Sequence, residues 1–253
     1  MRTKIERCPI CGRPASAGME IVDKKLEINR VRCPECGLIF FESDSLPEPV
    51  YDLKYNEFFH RPGDIRKAGA MAAKLAELVE KTEPAHLILE VGPGNGLTSF
   101  LLKAVGFHVE AIEMDLQTAR QIMIALGINV HVGKFETWQG QIQYDLIYAG
   151  HVIEHSRNPL LFFKKAYSHL KDTGIFFIDT PYAHCARRWG ESWKHFRTRQ
   201  PYEHCSLFDI QTIHAAAKKT GFEVVSVETL PEFMNMHAIL KKGGEHGDNK
   251  NAA

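Results

Sequence analysis

The hydrophobic pattern from residue 64 onward alternates short apolar runs with amphipathic stretches. Short apolar runs bounded by glycine or acidic residues predict buried strands, and apolar residues three and four apart predict helices. The predicted strands cover 86–91, 107–113, 128–132, 144–149, 174–180, 222–228 and 236–241. The predicted helices cover 64–81, 96–105, 116–126, 159–170 and 207–220, with a turn at 171–174. This alternation predicts an α/β fold whose doubly wound, mostly parallel sheet binds ligands at the carboxyl ends of its strands.

Both ends of the chain depart from this pattern. Residues 1–45 contain two cysteine pairs around a hairpin-like stretch and are predicted to form a small separate module. Residues 46–85 are predicted to hold a linker and the first helix, residues 86–242 the α/β domain, and the polar residues 243–253 a disordered tail. The aromatic residues of the linker either cover a ligand as a lid or pin the linker to the domain surface, and they are Tyr51, Tyr55, Phe58 and Phe59.

The stretch Leu87–Phe100, LILEVGPGNGLTSF, organises the α/β domain. It predicts a buried strand, a glycine turn and a helix start, and glycine lets the backbone approach a ligand closely because it lacks Cβ and tolerates positive φ. A dinucleotide cradle places its third glycine later and offers N–H groups to phosphate. Here Pro93 has no N–H and Glu90 adds a carboxylate, so the turn favours a cationic ligand such as S-adenosylmethionine (SAM). A tight strand-to-helix connection without a ligand is the alternative.

Two C-x2-C pairs lie near the start of the chain, separated by 21 residues. Each pair belongs to a C-P-x-C-G knuckle, which presents two thiolates from one tight turn. Four thiolates match the tetrahedral coordination of Zn²⁺ and leave no open position, so a structural zinc ribbon is predicted, with the ligands Cys8, Cys11, Cys33 and Cys36. A redox dithiol pair is disfavoured because no thioredoxin-like βαβ pattern surrounds the cysteines. So small a module is expected to need the metal for folding.

Composition narrows the compartment and the partners. The chain has 31 basic and 31 acidic residues, so nucleic acid is a disfavoured partner. Basic residues in the ribbon leave room for a local patch that binds nucleic acid. No long apolar run is present, so we expect no membrane span. The first residues lack the apolar region of a secretory signal, so we expect no such signal. A cytoplasmic location is expected, where the six cysteines stay reduced. The sequence does not indicate the oligomeric state.

Polar residues follow the next two predicted strands. Glu113 ends the second strand, 19 residues after Gly94. An acid at this place accepts hydrogen bonds from ribose hydroxyls in α/β nucleotide sites, and Asp115 is the nearby competitor. Residues 133–136 follow the third strand, where an adenine edge would lie.

Together these motifs resemble those of the class I SAM-dependent methyltransferases, most closely the group related to the ubiquinone-biosynthesis O-methyltransferases. The resemblance covers about residues 50–240 and implies a Rossmann-like seven-stranded sheet. It rests on Glu90–Gly96, Glu113, Asp145–His155 with Asn158-Pro159, Leu170–Gly174, Thr180-Pro181 and Glu203–Phe208. Several members of the group carry an N-terminal zinc module. Asp172-Thr173 replaces the Pro-Gly of the group's pattern, and Lys134 stands where Asp is frequent.

The resemblance also implies a set of SAM-binding residues. The glycine loop and Glu90 would hold the methionine part, Glu113 would bind the ribose, and residues 133–136 would flank the adenine. The residues that follow the fourth strand would lie beside the sulfonium. The complete predicted set is Glu90, Gly92, Gly94, Gly96, Glu113, Met114, Phe135, Glu136, Gly150 and His151.

Methyl transfer is an in-line displacement, so the protein must mainly align the reactants and exclude water. For a hydroxyl or acidic carbon acceptor, a histidine can take the proton, and the predicted bases are His155 and His204, with His151 behind them. His155 could equally brace the loop by hydrogen bonds. Residues 181–206 are predicted to wall the acceptor or to pack on the sheet as an ordered loop. Their predicted acceptor contacts are Tyr182, Trp189, Trp193 and Tyr202.

The sequence therefore predicts an enzyme, a transferase that moves a methyl group from SAM to O, N or C of a small molecule. A sugar, a quinone-like phenol or a secondary metabolite would suit. One alternative is an RNA or protein methyltransferase whose ribbon recognises the macromolecule. Another is a SAM-binding or zinc-scaffold protein without catalysis.

Overall fold

The computed structural model of the chain describes residues 4–23, 29–43, 64–79, 86–183, 203–232 and 234–243. Its α-helices are α1 (Asp64–Leu78), α2 (Leu97–Ala104), α3 (Leu116–Leu126), α4 (Pro159–His169) and α5 (Ile210–Thr220). In this described part, no helix combines the length and the apolar character that crossing a membrane requires. The predicted lid aromatics at 51–59 and the tail from 244 onward lie outside the described residues.

The strands belong to two sheets. They are β1 (Glu20–Asp23), β2 (Arg30–Arg32), β3 (Ile39–Phe41), β4 (Leu87–Val91), β5 (His108–Glu113), β6 (Asn129–Val132), β7 (Tyr144–Gly150), β8 (Leu170–Pro181), β9 (Ser206–Leu207), β10 (Phe222–Leu230) and β11 (Asn235–Lys242). Short 3₁₀ turns, Phe135–Thr137 and Ile153–His155, follow β6 and β7.

Seven of the described strands form the main sheet, in the order β10-β11-β8-β7-β4-β5-β6. Neighbours from β8 to β6 pair in parallel, and β11 runs antiparallel to β8 and β10. The chain moves outward from β4 to β5 and β6, then returns to the other side of β4 as β7. Strand order therefore reverses beside β4, where α/β sheets bind ligands. The predicted α/β fold with a doubly wound, mostly parallel, seven-stranded sheet is confirmed.

Strand β4 reads as a nearly continuous apolar run because it lies at the centre of this sheet. Ile88 and Leu89 are fully buried, one on each face. The strand ends in a turn whose glycines, at positions 92, 94 and 96, have φ values of 63°, 57° and 73°. These left-handed conformations suit glycine, so the turn can form directly before α2.

Two differences from the sequence prediction change the assignment of neighbouring elements. The predicted turn at 171–174 lies inside β8, which begins at Leu170, and the pairing with β7 shifts register there, from Leu170 opposite Tyr144 to Ile175 opposite Leu146. The helix predicted from residue 207 begins instead at Ile210. Asp209 forms a capping box with Thr212 there, so the helix starts after it, and residues 206–207 become β9.

The second sheet joins the cysteine segment to the C-terminal half of the chain. Four of the described strands form it, in the order β1-β2-β3-β9. The pairing of β3 with β9 places Ile39 opposite Leu207 and Phe40 opposite Ser206. Its core is continuous with that of the main sheet, because Phe40 belongs to the same buried cluster as Phe208.

Candidate active site

A cavity of about 530 Å³ opens at the carboxyl ends of β4, β5 and β7, beside the reversal of strand order. Its volume falls in the usual range for small-molecule sites. The glycine turn, the ends of β5 and β6 and the segment after β7 form its walls. Nine of the ten predicted cofactor residues line it, namely Glu90, Gly92, Gly94, Glu113, Met114, Phe135, Glu136, Gly150 and His151.

The three glycines of the turn have different surroundings. Gly94 faces the cavity, and a Cβ added to it would meet nothing within 4 Å. A Cβ on Gly92 would lie 2.7 Å from Val152, so this position holds the turn against the segment after β7. Gly96, the tenth predicted cofactor residue, lies outside the lining; its Cβ would lie 2.8 Å from Leu126 of α3. Gly96 therefore serves the packing of α2 on α3.

Glu90 brings a buried carboxylate to the cavity. Only 5% of the residue is exposed. Ser99 donates a hydrogen bond to its Oε2 atom. Burial raises the pKa of Glu90 to about 7, although the hydrogen bonds from Ser99 act in the opposite direction. A cation beside this carboxylate would relieve the electrostatic penalty of its burial.

The structure distinguishes the two acids that follow β5. Asp115 caps α3, because its side chain accepts a hydrogen bond from the backbone N–H of Thr118 at 2.7 Å. Glu113 lines the cavity, is mostly buried, and accepts a hydrogen bond from the Asp115 N–H at 2.9 Å. Burial raises the pKa of Glu113. Glu113 is thus the acid of the pair that a ligand in the cavity can reach.

The opposite wall is formed by the 3₁₀ turn after β6. Phe135 is buried, and its ring centroid lies 4.7 Å from that of Phe162 on α4. The carboxylate of Glu136 accepts a hydrogen bond from Ser156 Oγ at 2.7 Å, which ties this turn to the segment after β7. An apolar surface with a polar edge results, as a flat heteroaromatic ring requires.

His151 adopts a strained backbone conformation at the cavity, with a φ of 54°. Its Nδ1 lies 3.3 Å from Glu154 Oε1, and its Nε2 lies 3.8 Å from Asp179 Oδ2 and 3.0 Å from Asn235 Nδ2. Desolvation lowers the pKa of His151, but the two carboxylates outweigh it and raise the pKa to about 9. Burial raises the pKa of Glu154, but the neighbouring imidazoles have the larger, opposite effect and lower its pKa to about 2. The two carboxylates therefore favour the protonated form of the His151 ring.

The two histidines predicted as bases lie together, but only one reaches the cavity. His155 lines it, whereas His204 is buried behind it, with the two ring centroids 4.8 Å apart. His155 Nδ1 lies 3.1 Å from the carbonyl oxygen of Glu203. Since a carbonyl only accepts, Nδ1 carries a proton in this contact. Donor atoms of Glu154, His155 and His204 lie within 4.8 Å of one another. The other oxygen of this carboxylate, Glu154 Oε2, accepts a hydrogen bond from Thr180 Oγ1 at 3.0 Å.

Of the four predicted acceptor contacts, the structure describes only Tyr182, which does not line the cavity. Tyr182 packs against Ile39 and Leu207 beside the second sheet. The other three, Trp189, Trp193 and Tyr202, lie outside the described residues. Sequence reasoning missed Asp179, although an acid at the carboxyl end of a predicted parallel strand was available as a signal. It also missed Asn235, which arrives from the antiparallel strand β11 and carries no such signal.

A second cluster lies in the ribbon. The four sulfur atoms of Cys8, Cys11, Cys33 and Cys36 all lie within 4.8 Å of one another, and the pairs Cys8–Cys36 and Cys11–Cys33 are each 3.5 Å apart. A tetrahedron with Zn–S bonds of about 2.3 Å has S···S edges of about 3.8 Å. The hydrogen bond from Cys36 lowers the pKa of Cys8 to about 5, so one thiolate is already favoured. The donor set therefore fits Zn²⁺.

This sheet order, with an acid-lined cavity at the reversal of strand order, defines the class I SAM-dependent methyltransferase fold. Residues 64–227 match a family of proteins described as "Methyltransferase domain". The match spans more than half of the chain, and the chain belongs to this family.

Curated relatives match part of the chain. A ubiquinone biosynthesis O-methyltransferase from Rickettsia felis is 33% identical over 98 residues, covering 37% of this chain and 40% of that protein. A malonyl-[acyl-carrier protein] O-methyltransferase 2 from Ilyobacter polytropus is 28% identical over 116 residues, covering 44% and 45%. The chain thus spans less than half the length of these relatives. A SAM-dependent methyltransferase structure from Clostridium acetobutylicum has a TM-score of 0.57 at 14% identity, covering 76% of this chain and 100% of that one, and shows the shared fold.

Proposed function

We propose that this protein transfers a methyl group from SAM to a small-molecule acceptor. The observation that carries the proposal is the acid-lined cavity at the reversal point of the sheet, in a chain of this family. SAM bears an ammonium and a sulfonium cation. Burial raises the pKa of the Tyr148 phenol, and the charges of Asp179, Glu90 and Glu154 raise it further, so this end of the cavity has a negative field. Such a field suits a cationic ligand and disfavours a pyrophosphate.

The chain's own residues divide the binding of SAM between them. The open face of Gly94 lets the backbone approach the methionine part, and Glu90 accepts its ammonium. Glu113 accepts hydrogen bonds from the ribose hydroxyls, while Phe135 and Met114 flank the adenine. SAM supplies the activated methyl group when bound, and the walls of the cavity exclude water from it.

We propose that His155 takes the proton of the acceptor. Its Nδ1–H bond to the Glu203 carbonyl presents Nε2 as the basic nitrogen, and the ring lines the cavity. The carboxylates beside His151 favour its protonated form, so its proposed role is electrostatic. His204, buried behind His155, supports that ring.

An oxygen acceptor in a small molecule is the class that we favour. Both named relatives are O-methyltransferases by their descriptions. An O–H group also needs the base that His155 offers. The zero formal net charge of the chain gives no field that would gather a polyanion.

Titration calorimetry with SAM and its demethylated product tests the cofactor part. The zinc-loaded chain is expected to bind both, and Glu113→Gln is expected to weaken SAM binding by about tenfold, the loss of one or two charge-assisted hydrogen bonds. Glu110→Gln is the matched control, since Glu110 lies on the same strand but bonds His131 outside the cavity lining. Absence of binding at millimolar SAM would overturn the proposal.

Incubation with labelled SAM and cell extract tests the acceptor part. The label is expected in the small-molecule fraction, where mass spectrometry identifies the modified atom. Label in RNA or protein would replace the small-molecule acceptor with a macromolecule. If SAM binds and no fraction acquires label, the chain is a SAM-binding protein without transferase activity.

A further inference from the structure

The segment Glu203–Asp209 lies between the cysteine ribbon and the cavity and contacts both. Residues 204–209 are all buried. On the ribbon side, Ser206 and Leu207 form β9 and extend the ribbon's sheet through pairing with β3. On the cavity side, the segment carries His204 and packs beside the 3₁₀ turn that holds His155.

The second cysteine knuckle is anchored where this segment enters α5. The carbonyl oxygen of Cys36, a predicted metal ligand, accepts a hydrogen bond from Thr212 Oγ1 at 2.8 Å. Gly37, the next residue, lies against the carboxylate of Asp209 so closely that a Cβ would overlap it. The same Asp209 caps α5 together with Thr212. The position of the knuckle and the start of α5 are therefore fixed together.

Arg30 of β2 makes a second, buried connection from the ribbon to the segment. The residue is 1% exposed, and its Nη2 donates a hydrogen bond to the carbonyl oxygen of His204 at 2.8 Å. The guanidinium carbon also lies 4.6 Å from the ring centroid of Phe41. A buried, charge-assisted bond to a backbone carbonyl is strong, and it fixes the peptide that it holds.

The neighbouring peptide in turn fixes the cavity imidazole. The carbonyl of Glu203, one residue before the carbonyl held by Arg30, lies 3.1 Å from His155 Nδ1. Ser206 Oγ donates to the carbonyl of Ser156, one residue after His155, at 3.1 Å. The segment thus contacts His155 through the Glu203 carbonyl and the residue after His155 through Ser206.

We propose that the ribbon positions His155, with Arg30 as the positioning residue, and that it acts through the Glu203 carbonyl. The bond to that carbonyl selects the Nδ1–H tautomer and presents Nε2 to the cavity. The catalytic meaning of this coupling rests on the proposed methyl transfer, whereas the coupling itself concerns only the chain's own contacts.

Long-range ¹H–¹⁵N NMR of histidine-labelled, zinc-loaded full chain tests the proposal without an acceptor. The wild-type protein is expected to show His155 as the Nδ1–H tautomer. Arg30→Met, which removes the donor, is expected to give mixed tautomers at His155, and Arg30→Lys to restore the wild-type signal at least in part. Arg13→Gln is the matched control, because Arg13 is a ribbon residue whose ion pair with Glu35 lies on the surface.

Thr212→Val supplies an independent test if Arg30→Met folds poorly, because it releases the Cys36 carbonyl instead. SAM affinity should change by less than about twofold in both variants, since Glu90 and Glu113 lie away from the segment. The proposal is overturned if His155 keeps a single Nδ1–H tautomer in Arg30→Met and in Thr212→Val. Failure of wild-type protein to bind SAM would overturn the proposed function and leave the tautomer result intact.

Discussion

At the scale of single residues, the site is defined by carboxylates whose charges are held in buried places. Glu90 is the clearest case, with a pKa raised by burial to about 7. The free protein therefore holds this group partly protonated near neutrality. Binding of an ammonium requires the ionised form, so ligand affinity and proton loss are linked.

SAM affinity is expected to rise with pH, by up to about tenfold per unit below pH 7, and to level off above it. Glu90→Gln is expected to bind SAM more weakly and to lose this pH dependence. Calorimetry between pH 5.5 and about 7 measures both effects, in a range where the ligand's ammonium stays mostly charged. An unchanged pH dependence in the variant would show that another group is responsible.

His151 links stability to pH in the opposite way. Its folded-state pKa of about 9 lies above the ordinary value of 6.5, so its ion pairs stabilise the fold fully below pH 6.5. That contribution is lost as pH rises through 9. His151→Asn keeps the left-handed backbone, which asparagine tolerates, and removes the charge.

Thermal unfolding of the two proteins is therefore expected to differ most near pH 6 and to converge near pH 9. His214→Asn, at an exposed position on α5, is the control. A difference in melting temperature that does not change with pH would show that His151 is not an ion-paired imidazolium.

The sequence predicts many of these residues because they lie at strand ends, and the hydrophobic pattern along the chain predicts where the strands end. It favoured Glu113 over Asp115, and the structure adds the reason that Asp115 caps α3. The sequence also did not predict the strained backbone of His151. That backbone accompanies a hydrogen bond from the His151 N–H to the Asp179 carbonyl. Those contacts come from strands that are distant in sequence.

At the scale of elements, the glycine turn has two separate tasks. Gly94 has an open face on the cavity, and Gly96 packs α2 against Ile122 and Leu126 of α3. Both have left-handed backbones, so an alanine at either position costs roughly 1–2 kcal/mol in strain.

Gly94→Ala is expected to reduce SAM affinity strongly, because its methyl group enters the cavity, while unfolding changes only by the strain. Gly96→Ala adds a clash with Leu126 to the same strain and is expected to cost about 2–3 kcal/mol of stability. Chemical denaturation and calorimetry of the two variants give the comparison. Equal effects of both variants on SAM binding would contradict this division.

The helix boundary at α5 shows what a local pattern cannot reveal. The apolar residues Leu207 and Phe208 continue the helical pattern backwards, and the sequence predicts helix from 207. Leu207 instead pairs with Ile39 of β3, and Phe208 bridges to Tyr182. Pairing with a distant strand has no local signal, so Leu207 belongs to β9 and the helix starts later.

At the scale of the whole molecule, the ribbon and the α/β domain share one buried core. Ile10 and Leu38 of the ribbon belong to the same cluster as Phe208 and Ile213, and β9 continues the ribbon's sheet. The spacing predicts four cysteines as metal ligands, and the structure brings their sulfur atoms together. Their attachment to the domain depends on contacts such as Thr212 with Cys36, which spacing does not encode.

Removal of the metal is therefore expected to destabilise the whole chain. Structural zinc contributes several kcal/mol to small ribbons, and a loss of about 4 kcal/mol would lower the melting temperature by roughly 10 °C in a chain of this size. Because the core is shared, zinc-loaded protein should unfold in a single transition, which moves to lower temperature after treatment with a chelator and returns on addition of zinc. Hydrogen exchange should report the loss first at β3, β9 and the start of α5, where the ribbon meets the domain. A main transition that stays in place after zinc removal, with faster exchange confined to the cysteine knuckles, would mean that the two parts fold independently and that the buried contacts of Arg30 and Thr212 carry little stability across the interface.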